Sequence, residues 1–193
     1  GSGKTKVMAL AVAWQFLNAQ REEEAIATQY ARTFLVVAPN VIVFERLRTD
    51  FGGARVFESD PIVPREMQIF WDFDCVLRGD GEKAHAEGTL FLTNIDQLYD
   101  RDDESDDEPN VMTAVLGPKP PTKKLELSNF RDRIALRDGL LMVLNDEAHH
   151  TGDDANKWNS VIDGLHGKTP INVQLDFSAT PRLANGTLFP WIV

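Results

Sequence analysis

The sequence predicts an α/β protein in which a mostly parallel sheet carries helices on both faces. Three observations lead there. Short runs rich in apolar and β-branched residues alternate with stretches of helical spacing. One run, Leu140–Leu144 (LLMVL), is wholly apolar, as a strand buried on both faces of a parallel sheet must be. Finally, Gly1-Ser2-Gly3-Lys4-Thr5 is a tight glycine-rich turn standing directly before a helix-forming run.

Each element has its own local reason. Lys4–Asn18 is rich in Ala, Leu, Val and Met and reads as a buried helix. Arg32–Ala38 (RTFLVVA) is a β-rich run ended by Pro39-Asn40. Val41–Phe51 has apolar residues at helical spacing and is closed by Gly52-Gly53. Arg65–Leu77 is expected to hold one or two strands. Thr89–Thr93 (TLFLT) reads as a buried strand, followed by a short helix over Asn94–Tyr99 with Asn94 as its cap. Leu125–Arg137 reads as a helix stopped by Gly139. After LLMVL come a helix over Asn156–Leu165 and a strand over Asn172–Phe177.

The 193 residues suit a single domain, and 42% hydrophobic residues suffice for a core. The lone Cys75 excludes a disulfide framework and any all-cysteine metal site, and it points to a reducing, cytoplasmic setting. The longest apolar run, Val7–Trp14, falls far short of the roughly 20 residues a membrane span needs, and no signal-peptide pattern opens the chain. A net charge of −10 argues mildly against a broad electrostatic attraction to nucleic acid. The charge is uneven, however. Asp100–Glu108 (DRDDESDDE) carries −6, leaving −4 for the other 184 residues. With Pro109, Gly117, Pro118, Pro120 and Pro121 behind it, the stretch over about 100–124 reads as a solvated acidic, proline-rich insertion.

Three motifs carry chemistry. Gly1–Thr5 matches the end of a phosphate-binding loop, GxxxxGK[ST]. Backbone N–H groups at a helix N-terminus cradle phosphate oxygens, and the helix dipole favours their charge. Lys4 is placed to reach the β- and γ-phosphates, and Thr5 to offer its hydroxyl to Mg²⁺. A linker ahead of a helix could also read GSGKT, but the helical run behind it favours the phosphate loop. The second motif follows LLMVL: Asn145, then Asp146-Glu147-Ala148-His149. A strand ending in two acids delivers both to the C-terminal edge of the sheet, where open α/β folds bind ligands. Asp146 is placed to hold Mg²⁺ and Glu147 to orient or deprotonate an attacking water. The third is Ser178-Ala179-Thr180-Pro181 after a strand, whose hydroxyls can hydrogen-bond the neighbouring carboxylates. The cluster His149, His150, Asp153 and Asp154 fits no zinc spacing.

GSGKT, DEAH and SATP, in that order, resemble motifs I, II and III of a superfamily 2 helicase. VVAPNVIVFERL (Val36–Leu47), GTLFLTNIDQLY (Gly88–Tyr99), NDEAHH (Asn145–His150) and QLDFSATPR (Gln174–Arg182) resemble the group containing the Res subunits of type III restriction enzymes. The resemblance implies the first RecA-like domain of a P-loop NTPase over residues 1–193, truncated at its N-terminus. It implies ATP and Mg²⁺ as ligands, with Gly1, Ser2, Gly3, Lys4 and Thr5 at the phosphates and Thr5 and Asp146 at the metal. Asp146, Glu147 and His149 would be the catalytic set, with His149 coupling the ATP site to nucleic acid through contact with Ser178 and Thr180. Pro39, Asn40, Thr93 and Asn94 would lie along the nucleic-acid track. The implied partners are DNA ahead of RNA, a second RecA-like domain bearing an arginine finger, and a modification (methyltransferase) subunit; no membrane is implied. Without the second domain, this piece alone is expected to hydrolyse ATP poorly. Two other readings fit the motifs: a P-loop NTPase that does not act on nucleic acid, and a nucleotide-gated binding module.

Overall fold

A computed structural model describes residues 3–59, 62–77, 86–98, 131–146 and 155–178. The expected parallel sheet is present. Its five strands are β1 (Thr33–Ala38), β2 (Phe73–Leu77), β3 (Gly88–Asn94), β4 (Leu141–Asp146) and β5 (Ile171–Phe177), in the order β2-β3-β1-β4-β5 and all parallel. The helices are α1 (Lys4–Ala19), α2 (Glu24–Ala27), α3 (Val41–Phe51), α4 (Arg55–Ser59) and α5 (Ala155–Lys168). Residues 131–135 are helical too.

Strand alternation sorts the core into two layers. Phe34, Val36 and Ala38 of β1, Leu90 and Leu92 of β3, and Met142 and Leu144 of β4 face one side, where Met8, Val12 and Phe16 of α1 and Leu47 and Phe51 of α3 cover them. Leu35, Val37, Phe91, Leu141 and Val143 face the other, against Ile134 and against Val161 and Leu165 of α5. Central β1 and its neighbours β3 and β4 are buried along their whole lengths, which is why their middles are wholly apolar and their polar residues fall at the strand ends.

One corner of the first layer is aromatic. Trp71 stacks on Phe73 with ring centroids 4.6 Å apart, and Phe16 meets both edge-on at 5.3 and 5.2 Å. Gly88 lets β3 pass beneath this group. A Cβ there would lie 2.5 Å from Cε2 of Phe16 and 2.6 Å from Cδ2 of Phe73.

The topology creates one crevice. From β1 the chain leaves through α3 over the first face towards β2; from β4 it leaves through α5 over the second face towards β5. The connections of the adjacent strands β1 and β4 thus diverge, opening the sheet's C-terminal edge between them.

Of the one or two strands expected within Arg65–Leu77, the structure has one. Arg65–Phe70 is a 3₁₀ helix, and only Phe73–Leu77 is a strand. Pro64 launches the turn with φ −56°, and Ile69 and Phe70 are left exposed rather than laid on a sheet face. Helices α2 and α4 were not expected. Beyond Asn94, the last residue of β3, a single 3₁₀ turn covers Ile95–Gln97. The expected acidic, proline-rich insertion over about 100–124 lies outside the described residues. Among the described residues, no helix is long and apolar enough to cross a membrane.

Candidate functional site

The site is built where three elements meet at the crevice. Gly3 caps α1 with φ 75°, a left-handed conformation that costs a glycine little. The helix then runs for sixteen residues with no acidic side chain of its own in its first turn. Lys4 and Thr5, both partly buried, are its first two residues.

Asp146 is the last residue of β4. Alternation puts it on the same face as Met142 and Leu144, the face that α1 and α3 cover. Its side chain is 1% exposed. Lys4 Nζ lies 3.2 Å from its Oδ1, and Arg46 of α3 donates from Nη2 to its Oδ2 at 2.5 Å. A carboxylate removed from water is strongly unfavourable unless charged donors surround it, and these two cations supply them. Lys4 is itself only 14% exposed, whereas the Arg46 side chain is 53% exposed.

The preceding residue, Asn145, faces the opposite layer and donates from Nδ2 to Oδ1 of Asp176, its register partner on β5, at 2.5 Å. Its Oδ1 is buried with no hydrogen-bond partner among the described residues. Asp146 pairs with Phe177 across the same ladder, so Ser178 follows directly beside the end of β4.

At the same edge, Val37 and Ala38 of β1 pair with Thr93 and Asn94 of β3. Both Thr93 and Asn94 are buried, and the Thr93 hydroxyl donates to the carbonyl of Asn94. Asn40 is exposed and caps α3, its Oδ1 accepting from the Val43 N–H at 2.9 Å. Pro39 is partly buried, and the first turn of α3 exposes Val41 and Ile42.

Lys4, Thr5, Asp146 and Ser178 are therefore gathered at one end of the sheet from positions up to 174 residues apart, and Pro39, Asn40, Thr93 and Asn94 share that end. Gly1, Ser2, Glu147, His149 and Thr180 lie outside the described residues, as do His150, Asp153 and Asp154. The sequence reading missed Arg46. In VIVFERLRTDF it looks like one more charge on a solvated helix face, much as Arg48 is, which pairs with Glu45 at 3.1 Å.

A parallel sheet of this order, with a glycine-capped helix opening at its ligand edge, is an α/β fold of the RecA-like kind found in superfamily 2 helicases. The chain belongs to the family described as type III restriction enzyme, res subunit, whose model matches residues 1–183. No curated protein and no solved structure matches it. Membership makes this a helicase-type, ATP-binding domain of a nucleotide-using family.

Proposed function

We propose that the domain is the ATP-binding half of a DNA-dependent motor, of the translocase type that serves restriction enzymes. The observation that carries this reading is the meeting of Lys4, at the head of α1, with Asp146, at the end of β4, 3.2 Å apart in the crevice between β1 and β4. A cation and a carboxylate converging beside an open helix N-terminus form a site for a phosphate chain and its metal.

The residues suit that ligand. Gly1, Ser2 and Gly3 supply the glycine-rich turn, and Lys4 holds the β- and γ-phosphates. The Thr5 hydroxyl and the Asp146 carboxylate are hard oxygen donors of the kind Mg²⁺ prefers. When bound, the ion offsets phosphate charge. Glu147, next in sequence to Asp146, orients the water or takes its proton. His149 with Ser178 and Thr180 relays the state of the ATP site to the nucleic-acid track. Pro39, Asn40, Thr93 and Asn94 line that track; of these, Asn40 is the one exposed in this conformation. Backbone N–H groups and hydroxyls can hold a strand by its phosphates without a basic surface, so the acidic composition is no obstacle.

The partners in this reading are nucleic acid, DNA ahead of RNA, a second RecA-like domain supplying an arginine finger, and a methyltransferase subunit, all in the cytoplasm. The test is ATP turnover by the full chain with and without DNA or RNA. Stimulation by DNA that Glu147→Gln abolishes supports the motor. Turnover indifferent to both nucleic acids would leave a P-loop NTPase of another kind, and turnover unchanged by Glu147→Gln would remove the assigned catalytic role.

A further inference from the structure

Among the described residues, two cations share the Asp146 carboxylate, one on each oxygen, and they come from different elements. Lys4 belongs to the phosphate-binding turn. Arg46 belongs to α3, in the second turn after its cap. Helical side chains lean towards the helix N-terminus, so a long side chain at this position reaches back up to the ligand edge where α3 begins. Its contact is the shorter of the two, 2.5 Å against 3.2 Å.

The two differ in kind as well as in length. An ammonium is a compact point charge on a flexible stem and follows whichever anion is nearest. A phosphate chain arriving beside α1 therefore competes with Asp146 for Lys4. A guanidinium is planar and directional, and its Nη2–H bond holds Oδ2 of the carboxylate in place. At 1% exposure, water has almost no access to Asp146 to set that orientation instead.

We infer that Arg46 is a positioning residue: it fastens Oδ2 of Asp146 to helix α3 and so aims Oδ1 at the metal position. The inference rests on the nucleotide-site reading above. Arg46 touches neither phosphate nor metal in this role. It acts through the carboxylate, as the hydrogen-bond partners of metal ligands do elsewhere.

The experiment is a titration of the full chain with Mg²⁺ in the presence of a non-hydrolysable ATP analogue, read by calorimetry so that turnover plays no part. Arg46→Ala is expected to raise the Mg²⁺ concentration for half-maximal binding about 10-fold or more, the usual effect of removing such a partner. Arg46→Lys, which keeps the charge but not the fork, should recover part of that loss. Binding of the analogue without Mg²⁺, which relies on Lys4, should match the parent. An unchanged Mg²⁺ requirement in Arg46→Ala overturns the inference. A lowered requirement also overturns it, because Arg46 would then be competing with the metal. If Arg46→Ala loses its circular dichroism, Arg46→Gln, which keeps an N–H donor without charge, is judged by the same outcomes. A parent protein whose analogue binding ignores Mg²⁺ would instead refute the metal site itself, a result separate from either.

Discussion

The stability of the domain should depend on Lys4 and Arg46 jointly, not separately. Each is an ion-pair partner of one oxygen of a carboxylate that is 1% exposed. Removing Arg46 alone leaves Lys4 in place, and the lost contact involves a half-exposed guanidinium, so the cost should be about 1 kcal/mol. Removing Lys4 alone leaves the shorter Arg46 contact as a charged donor, so the cost should be about 1.5 kcal/mol, the low end for a hydrogen bond to a charged group. Removing both strips both cations from a buried carboxylate, a change of the kind that costs about 3–5 kcal/mol. The double variant should therefore exceed the sum of the singles by about 0.5–2.5 kcal/mol, within the range seen for groups in one network. Urea unfolding of the parent, Lys4→Ala, Arg46→Ala and the double variant, followed by circular dichroism, measures this. Additivity to within about 0.5 kcal/mol would refute the shared-carboxylate argument.

Two further perturbations probe the frame that carries the site. Gly88→Ala forces a methyl to within 2.5 Å of the Phe16 ring and 2.6 Å of the Phe73 ring, and should destabilise by about 1–3 kcal/mol, read as a lower urea midpoint. Asn40→Ala removes the cap of α3 and should cost about 1 kcal/mol, whereas Asn40→Asp keeps an acceptor for the Val43 N–H and should cost much less in the same assay.

Much of the fold was legible because the signals were local. LLMVL, TLFLT and RTFLVVA lack polar interruption, and all three became buried parallel strands. Val41–Phe51 was closed by a glycine pair, and the helix ends there. Arg65–Phe70 was not legible as a 3₁₀ helix, because Met67 and Ile69 alternate with polar residues as in a strand. At the site, the order of GKT and DEAH pointed to Lys4 and Asp146, and strand alternation explains why they meet. Arg46 escaped because its partner lies 100 residues away. Which helix covers the Asp146 face depends on sheet order and on the side each crossover takes, and no local pattern in VIVFERLRTDF records that. The burial of Thr93 was readable from TLFLT, but that of Asn94, expected as a helix cap and found as the last residue of β3, was not.

The central claim is that Lys4 and Asp146 form the phosphate and metal site of an ATP-binding domain. Calorimetric titration of Mg-ATP into the full chain and into Lys4→Ala tests it directly. Saturable binding by the parent and none detectable in the variant are expected, with both equally folded by circular dichroism. Equal binding by the two would contradict it.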